Sequence, residues 1–292
     1  TDKTQSAGFH PLNYDVSKFE EYLRELVTLE SVACKDWLTN KVDRSVTGKV
    51  AKQQCAGEIQ LPLNNLGVMA VDYQGKEGVA TTLGHAPVAG LIDPSAGSVL
   101  SIAESLTNLI WAPLSNGLRA VSLSANWVWP SRNPGEDARL YKAVQAASDF
   151  AIALGINIPT GKDSLSMTQK YRDDMVLAPG TVIISAAARV SDIRKIIEPV
   201  LADDPDTHVL YIDMSKDSRK IGGSSFSQIL GNPGTETPTV KDPEYFAKVF
   251  HFIQDLITHG KILAGHDISS GGLITCLLEM CFANTTGGIR LR

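Results

Sequence analysis

The sequence predicts a mixed α/β (α+β) protein of about two domains. Stretches whose apolar residues recur every three or four positions, as in amphipathic helices, are interspersed with short alternating or β-branched runs typical of strands. The length of 292 residues fits two domains of roughly 100–200 residues each. The third observation is an acidic, loop-like segment at 203–206, which separates a longer first part from a shorter second part.

The order of these patterns gives the expected elements. We expect helices over 16–32, 94–111, 135–154 and 242–259, and two more opening at 222–224 and near 273. We expect strands over 67–73, 79–85, 120–124, 156–159, 181–188 and 208–213. The predicted division is a linker and helix over 1–33, a first domain over 34–203 and a second over 204–292. Because the second stops where a strand begins, we interpret it as truncated.

Composition excludes several classes of function. Lys and Arg number 27 against 32 Asp and Glu, a net charge of −5, which argues against a nucleic-acid partner. No apolar run reaches 18 residues, so no membrane span is expected. The cysteines form no CxxC pair, which argues against a zinc site and favours a reducing, cytoplasmic setting; they are Cys34, Cys55, Cys276 and Cys281.

The glycine-rich stretch Gly265–Leu273 is the strongest candidate for a ligand site. It follows an apolar run and opens a helical pattern. Glycines let a ligand approach the backbone, Ser269 and Ser270 are good helix caps, and a helix N-terminus attracts phosphate. Asp267 could hold the cation that accompanies a polyphosphate. The alternative is an ordinary capped turn.

Glu104 and Asn108 are candidate metal ligands on the predicted 94–111 helix. Their i, i+4 spacing brings both side-chain oxygens to one face, where they could share a magnesium ion. The flanking residues are apolar and leave a narrow polar strip, which favours the metal interpretation over the alternative of an exposed polar pair.

Two polar stretches carry further candidates. In Gly161–Met167, Lys162 could neutralise phosphate charge and is a candidate nucleotide-binding residue, although the stretch lacks a full P-loop pattern. Lys35 could stabilise an oxyanion or a phosphate, and Asp43 could act as a base or orient an amide. The alternatives are a turn with a solvated lysine and a surface ion pair.

Taken together, seven motifs in this order resemble the phosphoribosylformylglycinamidine synthase family, the FGAR amidotransferases, in its large single-chain form. The resemblance runs from about residue 30 to 292 and matches the second half of the synthetase region. The motifs are Asp43–Gly48, Gln53–Gly57, Ala103–Asn108, Ser124–Trp127, Pro134–Ala138, Gly161–Met167 and Gly265–Asp267.

The resemblance implies part of an ATP-dependent, amidine-forming C–N ligase of purine biosynthesis. The family converts formylglycinamide ribonucleotide, glutamine and ATP to the amidine through an iminophosphate that ammonia displaces. Its synthetase region holds two similar halves, so the implied partner is the rest of the polypeptide, comprising the first half and a glutaminase domain. A fragment lacking these is expected to be inactive and could form a homodimer through its apolar barrel face.

Site residues and cofactors also follow from the resemblance. It implies Mg²⁺ and ATP or ADP as ligands. The implied magnesium ligands are Glu104, Asn108, Asp267 and Asn65; the implied nucleotide contacts are Asn64 and Ser269; the implied catalytic residues are Lys35, Asp43 and Gln54. Asn65 stands where the family has an aspartate. Since the amide brings no charge, we hypothesise a weakened or altered magnesium–nucleotide site.

The implied fold is that of the aminoimidazole ribonucleotide synthetase-like superfamily, with mixed sheets and packed helices. Two alternative functions stay open at this point. One is a different ATP-dependent enzyme of the same superfamily, such as aminoimidazole ribonucleotide synthetase. The other is a structural half that binds ADP and scaffolds a partner without catalysis of its own.

Overall fold

A computed structural model describes residues 8–39 and 48–290, and these contain ten strands. Six of them form a mixed sheet in the order β1-β4-β5-β10-β6-β7, in which β6 and β7 are parallel and the other neighbours antiparallel. The strands are β1 Val50–Lys52, β2 Cys55–Ala56, β3 Leu61–Pro62, β4 Leu66–Ala70, β5 Gly78–Gly84, β6 Ser122–Val128, β7 Asn157–Ser164, β8 Thr168–Tyr171, β9 Asp174–Leu177 and β10 Thr181–Val190.

Helices cover one face of this sheet. The α-helices are α1 Phe19–Thr28, α2 Asp36–Thr39, α3 Pro87–Ile92, α4 Pro94–Leu109, α5 Glu136–Leu154, α6 Ser225–Ile229, α7 Pro243–Thr258 and α8 Gly272–Phe282. Helix α4 lies on the sheet, and α5 and α7 add to the same core. The predictions for 94–111, 135–154 and 242–259 are confirmed to within two residues, and the mixed α/β class is confirmed.

The two faces of the sheet differ because side chains alternate along a strand. In β5 and β10 every second side chain is buried, among them Ala80, Ile184 and Ala186, which pack against fully buried residues of α4 such as Ile102 and Leu106. The opposite face is solvent-accessible and partly apolar. It carries Met69, Val79 and Leu83, which are 46%, 39% and 58% exposed.

Five of the six predicted strands are confirmed as β4, β5, β6, β7 and β10, and one needs correction. Segment 208–213 is irregular, with Leu210 78% exposed. An extended segment becomes a strand only when a neighbour supplies hydrogen bonds, and this segment pairs with no strand among the described residues. Conversely, two strands extend beyond their predicted ends at 124 and 159, because Asn126–Trp127 and Gly161–Ser164 belong to the parallel pair β6–β7.

Across the described ranges, none of the helices is both long enough and apolar enough to span a membrane.

Candidate nucleotide and cation site

A large cleft, with a volume of about 2320 Å³, separates the sheet and α4 from the C-terminal segment. The first part of the chain contributes Asn64, Asn65 and Glu104 to its lining, together with Asn108. The glycine-rich turn 265–272 lines the opposite side. The cleft therefore brings together residues that are far apart in the sequence.

Helix α4 is fixed at both ends, which positions Glu104 and Asn108. Asp93 caps its start by accepting hydrogen bonds from the N–H groups of Ser95 and Ala96, at 2.8 and 3.3 Å. Near its other end, Asn108 Nδ2 donates to the Leu83 carbonyl at 2.8 Å. Between these points α4 crosses β5 so closely that a Cβ on Gly84 would collide with the α4 backbone.

The glycine-rich turn is fixed by close contacts of its backbone. The Gly265 N–H donates to the Glu198 carbonyl at 3.0 Å, and a Cβ on Gly265 would overlap the Trp111 ring. Gly271, with φ of 87°, is the N-cap of α8. The expected caps Ser269 and Ser270 therefore lie before the helix boundary, because the left-handed backbone that starts α8 requires glycine.

Four of the predicted residues meet at this point. Ser269 and Asn108 form side-chain hydrogen bonds to the Glu104 carboxyl, and the Asp267 carboxylate is close enough to perturb it. The pKa of Glu104 is raised to about 8, first by burial and then by the charge of Asp267, while the two hydrogen bonds and the charge of His266 offset part of the rise. A nearby cation would favour the ionised carboxylate.

Asn65 reaches Asp267 from the other wall of the cleft. Its Nδ2 lies 3.2 Å from Oδ1 and 3.2 Å from Oδ2 of Asp267, although the two residues are 202 positions apart. The side chain of Asp267 is 2% exposed. The Asn65 amide therefore directs its NH₂ group, a hydrogen-bond donor, at a buried carboxylate.

His266 and Glu279 complete the arrangement and were not predicted as site residues. His266 Nδ1 lies 3.2 Å from Asp267 Oδ1, and Nε2 lies 2.8 Å from Glu279 Oε2. Burial lowers the pKa of His266, but the hydrogen bonds and charges of the two carboxylates outweigh it and raise the pKa to about 9. Glu279 is the only charged residue of the apolar helix α8, a signal that could have identified it.

The oxygen ligands available at this cluster suit a hard cation only in part. Asn108 Oδ1 is buried and has no hydrogen-bond partner, and with the Glu104 and Asp267 carboxylates it offers the oxygen ligands that Mg²⁺ prefers. Within 8–39 and 48–290, however, no group of three or more His, Cys, Asp and Glu side chains is arranged to hold a metal. A cation here would depend on amide oxygens as well as carboxylates.

The remaining candidates lie elsewhere or are held by the main chain. Asn64 lines the cleft, and its Nδ2 donates to the carbonyls of Gln53 and Cys55 at 2.8 and 3.2 Å. Gln54 also lines the cleft, and its carbonyl accepts from the Asn64 N–H at 2.9 Å. These contacts place both residues beside Asn65.

Lys35 and Lys162 are not brought to this cluster. The Lys35 ammonium donates to the Ala33 carbonyl at 2.8 Å, just before α2. Lys162 lies on β7, where it contacts Ser164, and β7 is four strand positions from β4, a separation of about 19 Å. Asp43 lies outside the described residues. The roles predicted for these three residues stay predictions.

Two family models match successive parts of the chain. Residues 34–189 match the family model of the FGAR-AT PurM_N-like domain, and residues 212–290 match that of the AIR synthase related protein, C-terminal domain. These ranges lie within the two predicted domains, whose bounds stay a prediction.

Similar proteins cover most of the chain. A phosphoribosylformylglycinamidine synthase of Homo sapiens is 42% identical over 266 residues, and a probable chloroplastic or mitochondrial one of Arabidopsis thaliana is 41% identical over 266 residues; each alignment covers 91% of this chain. The chain spans only 20% and 19% of these relatives.

A solved structure is similar in fold. Thermotoga maritima PurL complexed with FGAR matches over 89% of this chain and 38% of its own, with a TM-score of 0.58 and 13% identity. At that identity the match supports the fold alone. Because the first family model covers more than half of the chain, the chain belongs to the FGAR-AT PurM_N-like domain family.

Proposed function

We propose that this chain is one part of a cytoplasmic, ATP-dependent phosphoribosylformylglycinamidine synthase. The reaction converts formylglycinamide ribonucleotide, glutamine and ATP to the amidine through an iminophosphate. The support is the family membership and the relatives named phosphoribosylformylglycinamidine synthase, of which this chain spans about a fifth. The remaining partners would be the first synthetase half and a glutaminase domain of the same polypeptide.

Within that enzyme, the cleft is proposed to bind ATP or ADP. The observation that carries this proposal is the convergence of α4 with the glycine-rich turn, which joins Glu104 and Asn108 to Ser269 and Asp267. The start of α8, which has no side-chain cap, lies next to this cluster, and the positive end of the helix dipole favours phosphate oxygens there. Asn64, held by the main chain, is proposed as a further nucleotide contact.

Mg²⁺ is proposed as the accompanying cation, with Glu104, Asn108 and Asp267 as oxygen ligands and Asn65 beside them. When bound, the ion would neutralise part of the polyphosphate charge. Asn108 contributes through its unpartnered Oδ1, whose direction is fixed by the hydrogen bond from Nδ2 to Leu83. Ser269 holds the Glu104 carboxyl in place.

Lys35, Asp43 and Gln54 are proposed to act in a catalytic cleft shared with the missing half. Gln54 already lines an open cleft, and Lys35 lies before the short helix α2 at the edge of the first part. Lys162, on the exposed strand β7, is proposed to contact nucleotide phosphate only through such an assembly, since it does not line the cleft that holds Asp267.

A specific observation favours a second function, an ADP-binding scaffold without catalysis of its own. The reactive candidates Lys35 and Lys162 are not assembled around the cluster, whereas the polar groups that would hold a nucleotide are. In this alternative the bound nucleotide stabilises the packing of the glycine-rich turn on α4.

Isothermal titration calorimetry of this chain with Mg–ADP tests the proposed site. We expect the Glu104→Gln variant to bind Mg–ADP at least about tenfold more weakly, because an amide replaces the carboxyl that Ser269 and Asn108 hydrogen-bond between α4 and the glycine-rich turn, and the turn that would bind phosphate then shifts. The matched control is Glu25→Gln on the exposed face of α1, which should bind as the unchanged chain does. Equal affinities of Glu104→Gln and the unchanged chain would contradict the proposal.

A turnover assay of the same chain tests whether the missing half is required for catalysis. With ATP, ammonia and formylglycinamide ribonucleotide, we expect no amidine from this chain alone. Turnover by the isolated chain would contradict the scaffold function and the expectation that the missing half is required.

A further inference from the structure

Both oxygens of the Asp267 carboxylate already have hydrogen-bond donors. The Nδ2 group of Asn65 lies 3.2 Å from each of them, and His266 Nδ1 lies 3.2 Å from Oδ1. The side chain of Asp267 is 2% exposed, so these contacts occupy a site shielded from water. The protein itself therefore provides Asp267 with a positive partner, the His266 ring, and a dipolar partner, the Asn65 amide.

A divalent cation would compete with the Asn65 amide for the same lone pairs. Cations bind carboxylates through oxygen, and an NH₂ group directed at both oxygens occupies that edge. To coordinate a cation as well, Asn65 must rotate its amide and present Oδ1. A carboxylate at position 65 has no donor to offer, and two adjacent carboxylates repel unless a cation lies between them.

We propose that the Asn65 amide substitutes for a divalent cation at Asp267, so that this site binds a nucleoside diphosphate with or without Mg²⁺. The inference rests on the proposed nucleotide site and deepens it by defining its cation requirement. By hydrogen bonding to Asp267, Asn65 weakens the repulsion between that carboxylate and the phosphates. Helix α8, whose N-cap Gly271 supplies no side-chain cap, starts beside this cluster, and the positive end of its dipole favours phosphate there.

Two measurements on the 292-residue chain test this inference. Calorimetry measures ADP binding in excess MgCl₂ and in excess EDTA, and electron paramagnetic resonance measures binding of Mn²⁺ alone. We expect the ADP affinity of the unchanged chain to differ by less than about threefold between the two buffers. In Asn65→Asp it should fall at least about tenfold in EDTA, and Mn²⁺ alone should bind at least about tenfold more tightly than to the unchanged chain.

Three controls separate the effect of an added charge, the effect of misfolding and the effect of losing the Asn65 hydrogen-bond donor. Asn116→Asp adds the same charge at an exposed asparagine outside the cleft and should behave as the unchanged chain does in both assays. Thermal unfolding verifies that each variant is folded. Asn65→Leu keeps the side-chain size but removes the donor, and should also bind Mn²⁺ more tightly and ADP in EDTA more weakly.

The outcomes are distinguishable. The inference is overturned if the unchanged chain loses about tenfold or more of its ADP affinity in EDTA, or if Mn²⁺ binds all variants equally. Absence of ADP binding to every form in both buffers would instead overturn the proposed nucleotide site. The Mn²⁺ comparison would then still decide whether Asn65 competes with a cation at Asp267.

Discussion

Polar residues of the site are positioned by hydrogen bonds with groups that lie mostly far away in the sequence. Asn108 is oriented by Leu83, Asp267 by Asn65 and His266, and Glu104 by Ser269. Each buried carboxyl therefore has several partners, as burial of charge requires. Replacing one partner should consequently change the properties of its neighbours as well as its own.

Asp217 gives a pH-dependent prediction outside the site. The Asp217 side chain is fully buried, which by itself raises its pKa. The carboxylate, however, lies 2.8 Å from the Lys241 ammonium and 3.2 Å from that of Lys220, and it accepts hydrogen bonds from the N–H groups of Ser218 and Thr239. These partners outweigh burial and hold the pKa of Asp217 well below its ordinary value of 3.8. Because the folded state binds its proton more weakly, Asp217 contributes stability that is present above pH 3.8 and lost as the pH falls below it.

We therefore expect Asp217→Asn to lower the thermal unfolding midpoint at pH 7 by about 3–6 °C and to reduce the loss of stability below pH 4. Differential scanning calorimetry from pH 7 to acid measures both effects. Asp206→Asn, at an exposed aspartate, is the control and should leave the pH profile unchanged. If Asp217→Asn showed the same acid dependence as the unchanged chain, this assignment would be wrong.

At the scale of elements, the contact of β5 with α4 determines where the site forms. Gly84 ends β5 and lies against the backbone of Ser101 and Ser105, one turn or less from Glu104. Only glycine allows this distance, since any Cβ would meet backbone atoms that cannot move aside. The same crossing brings the Leu83 carbonyl to Asn108.

Gly84→Ala should destabilise the chain by about 1–3 kcal/mol through overpacking and weaken Mg–ADP binding by displacing α4. Chemical denaturation and calorimetry measure the two effects. Gly67→Ala on the neighbouring strand β4 is the matched control, because its added Cβ would make only ordinary contact with Thr81. Equal stability of the two variants would contradict the importance of the β5–α4 contact.

At the scale of the whole molecule, the uncovered face of the six-stranded sheet is the main candidate for a partner interface. Met69, Val79 and Leu83 are exposed there, and in the described part of the chain α4, α5 and α7 add to the core on the opposite face. An apolar sheet face in water favours association. In the proposed enzyme the first synthetase half would cover it, and in the isolated chain a second copy could do so.

Size-exclusion chromatography with light scattering tests this expectation. We expect the isolated chain to form a dimer at micromolar concentration, and Leu83→Glu to shift it to monomer because a charge would be buried at the interface. Ile152→Glu, on the exposed side of α5, is the control and should leave the dimer intact. A monomeric unchanged chain would contradict the proposed homodimer.

The sequence by itself determined the mixed α/β class, the bounds of the long helices α4, α5 and α7, and the candidate ligands Glu104, Asn108 and Asp267, because local periodicity and short motifs carry these signals. It also predicted where β4, β5, β6, β7 and β10 lie, but not which segments pair. Segment 208–213 has strand composition but no partner strand among the described residues, whereas β7 extends beyond 156–159 because β6 pairs with it. Only the tertiary structure decided that Asn65 donates to Asp267 and that His266 joins Asp267 to Glu279. Such contacts join residues that only folding brings together, and their geometry depends on the packing of α4, the glycine-rich turn and α8.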